Sequence, residues 1–65
     1  MHMRISKTMR TFIPILKENG YYYVRCRGSH FTFSNGQDSI TVNRDLNKMV
    51  KRRLIKEHNL VEKNE

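Results

Sequence analysis

YYYVRCRGSHFTFSNGQDSITV, Tyr21–Val42, is the stretch on which the fold turns. Within it, Phe31-Thr32-Phe33 and Ile40-Thr41-Val42 alternate apolar and polar residues with the period of two that a half-buried strand requires. Phe31 and Phe33 must share one face, which places His30 on the other, beside water or a ligand. Asn35-Gly36 signals a hairpin between the two runs. A two-residue turn there pairs Phe31 with Ile40, whereas a four-residue loop pairs Phe33 with Ile40 and Phe31 with Val42. Both registers keep the four apolar residues together and leave His30 opposite them. Upstream, Tyr21–Arg27 is rich in aromatic and β-branched residues and reads as a strand that turns at Gly28 into a second, Ser29–Ser34, with the third at Ser39–Asn43.

Helical periodicity flanks this meander. Met9, Phe12, Ile13 and Leu16 recur at i, i+3, i+4 and i+7, predicting a helix from about Thr8 to Asn19. Gly20 suits the left-handed residue just past its end, with Tyr21 reaching back to Leu16. Pro14 requires either a start near Thr11, which puts the ring in the first turn, or an earlier start with a kink. A closing helix is expected over about Asn47–His58, with Val50, Leu54 and His58 on one side and Lys48, Arg52 and Lys56 on the far side. Asn59 can cap it in the left-handed conformation, with Leu60 reaching back to Ile55. The expected architecture is a single α+β domain, α-β-β-β-α: a three-stranded antiparallel sheet with both helices on the Phe31/Ile40 face. Residues 1–7 read as an N-terminal extension, 8–60 as the domain and 61–65 as a frayed tail.

Thirteen Lys and Arg against six Asp and Glu give this 65-residue chain a formal charge of +7. Polyanion binding is the leading expectation, because each phosphate neutralised by a side chain releases condensed counterions. An acidic protein partner would satisfy the same field. So small a domain has little room for a deep pocket, which directs recognition to its surface. The single cysteine, Cys26, forms no internal disulfide and reads as a small buried hydrophobe. No Cys/His cluster has structural-zinc spacing, so no metal or cofactor is expected. No apolar run approaches the ~20 residues of a membrane span, and no signal-peptide core is present; the expectation is a cytoplasmic chain in a reducing compartment, with no membrane contact.

Gly20-Tyr21-x-x-x-Arg25-x-x-Gly28-Ser29-His30-x-x-Phe33 resembles the signature of HicA-type mRNA interferase toxins. The Ile40–Val42 strand and the basic helix ending in Asn59-Leu60 extend the resemblance over about residues 8–60. The sequence departs from that pattern at Asn43, where many members have proline, at Met49, where glycine often opens the last helix, and at Pro14. These departures bear on loop geometry and helix boundaries. The resemblance implies a fold similar to a double-stranded RNA-binding domain, metal-independent ribonuclease activity with His30 as the catalytic histidine, and an acidic HicB-type antitoxin covering the active surface.

The chemistry is accessible to such residues. RNA carries its own nucleophile in the 2′-hydroxyl, so cleavage without a metal needs a group that accepts that proton, one that protonates the leaving 5′-oxygen, and cations for the phosphorane charge. His30 is the candidate for proton transfer, with Ser29 or water as relay. Arg25, Arg27 and Lys48 are candidate phosphate ligands, joined by Arg52 and Lys56 on the basic helix; Gly28 permits close approach of a phosphate. The plainer readings are a turn serine, a solvated helix face and a surface histidine. Tyr22 or Tyr23 is a candidate base-stacking residue, since alternation buries at least one tyrosine of the triplet. His58, on the apolar side near a helix C-terminus, reads as structural. The rival function is a non-catalytic RNA-binding module using the same surface.

Overall fold

A computed structural model describes residues 5–62. Its elements follow the expected order: α1 (Lys7–Glu18), β1 (Tyr22–Arg27), β2 (His30–Ser34), β3 (Ser39–Asn43) and α2 (Lys48–Glu57). The strands form an antiparallel sheet in the order β1-β2-β3. Met9, Phe12 and Leu16 of α1 are buried against Phe31, Phe33, Ile40 and Val42, with Leu46, Leu60 and Tyr21 closing the core. Val50, Leu54 and Ile55 of α2 pack on the same cluster, so both helices lie on one face of the sheet.

Caps set the helix limits. The Ser6 hydroxyl accepts from the Met9 amide at 3.0 Å and donates to the Leu46 carbonyl at 2.8 Å, which starts α1 and ties it to the β3–α2 connection. The helix therefore takes the earlier of the two starts, and exposed Pro14 lies within it, removing the N–H that would reach Arg10. Ile5 packs against the core and Ser6 caps α1, so the domain begins before residue 8; residues 1–4 of the expected extension lie outside the described residues. At the far end, Gly20 has φ 85° and the Tyr21 amide donates to the Leu16 carbonyl at 2.9 Å. Asn47 caps α2 through Val50. Asn59, at φ 52°, ends that helix, with the Leu60 amide on the Ile55 carbonyl at 2.9 Å.

The four-residue loop sets the β2–β3 register, pairing Phe33 with Ile40, Phe31 with Val42 and His30 with Asn43. Asn35 decides this locally, because its side-chain oxygen accepts from the amides of both Gln37 and Asp38. The Asn43 side chain likewise accepts from the Asp45 amide at 2.9 Å, forming the turn out of β3. Two further expectations are overturned. Cys26 is exposed on the edge strand rather than buried. Val61 is not frayed, since its amide and carbonyl both bond the Asn19 side chain, at 2.8 and 2.9 Å; residues 63–65 of that tail lie outside the described residues.

Candidate nucleic-acid interface

One face of the sheet carries no helix, and the strand register determines what it displays. Arg27, His30 and Asn43 form one cross-strand row, Arg25, Thr32 and Thr41 the next, and Tyr22, Ser34 and Ser39 the third. His30, Arg25, Arg27 and Tyr22 are all exposed. The Gly28-Ser29 turn creates the first row. Gly28 sits at φ 59°, the glycine-first geometry of a tight hairpin, and this returns the chain so that Arg27 and His30 stand opposite each other. Half-buried Ser29 holds its carbonyl 2.8 Å from the Arg44 amide, which locks the start of β2 against the end of β3.

A bulge at Val24 selects between the tyrosines. Strict alternation would put Tyr23 with Arg25 and Arg27. The register instead shifts between Tyr23 and Arg25, so Tyr22 joins the open face and Tyr23 turns to the helix side. There its ring meets Phe33 edge-on at 6.0 Å and Phe31 at 6.3 Å. The buried member of the triplet is Tyr21, 6% exposed.

The cations expected to bind RNA do not form one surface. Arg25 and Arg27 share the open face with His30, whereas Lys48, Arg52 and Lys56 belong to α2 in the helix layer. Lys48 begins α2 shortly after Asn43, the cross-strand partner of His30, and so lies at the same end of the molecule. Lys56 lies eight residues along α2, about 12 Å away. Lys48, Lys51 and Arg52 line a cleft of about 500 Å³ with Ile55 and Glu62. Lys51 reaches across to donate to the Thr11 hydroxyl at 3.1 Å. Sequence reasoning missed exposed Arg44, which adjoins the Gly28-Ser29-His30 turn through its backbone. Only the choice of hairpin register carried that signal.

At the opposite end of β2, Asp38 joins a tyrosine and a histidine. Its Oδ2 accepts from the Tyr21 hydroxyl at 3.0 Å and lies 2.8 Å from His58 Nδ1. These bonds, that of His58 first, hold the Asp38 carboxyl below its ordinary range. Burial, reinforced by Asp38, raises the Tyr21 phenol. The structural assignment of His58 therefore acquires a partner. Among the described residues, no three metal-ligating side chains gather and no helix is long and apolar enough to cross a membrane. No protein-family model, curated protein or solved structure matches this chain.

Proposed function

We propose that this protein is an endoribonuclease that cleaves messenger RNA without a metal ion, the toxin of a pair similar to HicA-type toxins and their acidic HicB-type antitoxins, acting in the cytoplasm. The observation that carries the reading is the exposed His30 on the helix-free face, directly across from Arg27 and one row from Arg25. Neutral imidazole at that position accepts the 2′-hydroxyl proton as the 2′-oxygen attacks phosphorus. The P–O5′ bond breaks, and the leaving oxygen takes its proton from the imidazolium or through water or Ser29. Arg25 and Arg27 offset the charge on the phosphorane oxygens. Gly28 leaves the turn without a side chain where the phosphate passes, and its added Cβ would meet no heavy atom within 4 Å. Lys48 extends the track at the same end of the molecule, while Arg52 and Lys56 attract polyanion to the helix layer.

Incubating the purified protein with RNA in excess chelator tests this. The expected products end in a 2′,3′-cyclic phosphate and a 5′-hydroxyl. Saturable binding with intact RNA would instead establish the non-catalytic module.

A further inference from the structure

β1 forms a third of the sheet, yet all six of its residues are exposed. The helices bury Phe31 and Phe33 of β2 and Ile40 and Val42 of β3, but leave Tyr23 and Cys26 open although both point to the helix side. Tyr22, Tyr23 and Val24 are 55%, 51% and 43% exposed, three consecutive large apolar residues on an edge strand. Among the described residues no segment pairs with the outer edge of β1. Such an edge is a template for an incoming strand, in which main-chain hydrogen bonds give affinity and alternate side chains give selectivity. The edge at β3 differs, because Ile40 and Val42 are covered and Ser39, Thr41 and Asn43 carry no charge.

We propose that the outer edge of β1 receives an extended acidic segment of a partner protein as a fourth strand, its carboxylates beside Arg25 and Arg27 and its apolar residues beside Tyr23 and Cys26. Charge complementarity selects this occupant. Antiparallel pairing with a second copy in a register centred on Arg25 or Cys26 would set arginine against arginine, and like charges directly opposite destabilise a sheet. A polynucleotide would use the arginines but neither the backbone edge nor the apolar side. The docking surface gives the acidic partner proposed above a place to bind, and rests on that reading for its regulatory meaning: the added strand would flank the row that holds His30.

The probes are a short peptide alternating valine and glutamate, its valine–lysine counterpart, and the glutamate peptide N-methylated at alternate backbone nitrogens. Affinity is read by fluorescence anisotropy and location by amide exchange, with no RNA present. The glutamate peptide is expected to bind and to protect β1 amides, and the lysine and N-methylated peptides to bind about tenfold more weakly or less. An Arg25→Glu/Arg27→Glu variant, its fold checked by thermal melting, should prefer the lysine peptide. Equal binding of the N-methylated peptide would overturn the proposal in favour of charge attraction alone. Protection at β3, or self-association that protects β1 without peptide, would overturn it as well. Absence of peptide binding removes the docking surface and leaves the cleavage assay untouched, whereas absence of cleavage removes the nuclease reading alone.

Discussion

Arg27 stands directly opposite His30 across the two-residue Gly28-Ser29 turn, on the face of the sheet that no helix covers. A guanidinium and an imidazole in one cross-strand row give this face both a candidate phosphate ligand and a candidate proton-transfer group.

Arg27→Gln is expected to weaken RNA binding and to lower the dependence of log K on log salt by about 0.7 for each single-strand phosphate that the side chain had neutralised. Filter binding across a salt series measures both. An unchanged slope would remove Arg27 from the phosphate track.

Gly28→Ala should destabilise the domain by about 1–2 kcal/mol, because φ 59° is left-handed and an alanine Cβ clashes there with its own backbone. No neighbouring atom lies within 4 Å of the added carbon, so the cost is conformational and Gly28→Asn should cost less than alanine. Urea denaturation of the two variants orders them.

Asp38 links pH to stability. Its carboxyl is held low in the folded protein by His58 and Tyr21, so its contribution is present above the unfolded carboxylate pKa and is lost as pH falls through the folded value. The Tyr21 phenol is raised, so its contribution is present below the ordinary phenol range and is lost as pH rises through the folded value. Asp38→Asn should therefore flatten the acid limb of melting temperature against pH. An acid limb identical to wild type would show that the bonds joining Asp38, His58 and Tyr21 contribute nothing in solution.

Asn19→Ala removes both bonds to Val61 and the one to the Ile15 carbonyl, an expected loss of about 1–2 kcal/mol. Amide exchange should accelerate at Val61 while the middle of α1 keeps its protection. Uniform acceleration through α1 would mean that Asn19 supports the helix rather than the C-terminal segment.

Much of this arrangement is legible in the residues. Alternation at Phe31 and Phe33 places His30 outward under either hairpin register, and Gly20 and Asn59 mark both helix ends through their left-handed geometry. Other features are decided by contacts distant in sequence. The bulge at Val24 reassigns Tyr22 and Tyr23 between faces, and nothing in Tyr-Tyr-Tyr-Val states where one extra residue enters the ladder. Cys26 is exposed because the helices cover β2 and β3 and stop short of β1, a matter of layer width that periodicity does not encode. Asn19 and Val61 lie 42 positions apart and Ser6 and Leu46 lie 40 apart, pairs that only the folded chain brings together. The basic residues of α2 were readable as a stripe; their separation from the His30 face follows from α2 packing on the covered side.

The most direct measurement compares wild type with His30→Ala on the same RNA in excess chelator, with affinity and melting temperature recorded beside cleavage. His30 is exposed on the helix-free face and takes no part in the core, so the variant should fold and should bind RNA within a fewfold of wild type while cleavage disappears. Cleavage at the wild-type rate by the folded variant would contradict the assignment of proton transfer to His30.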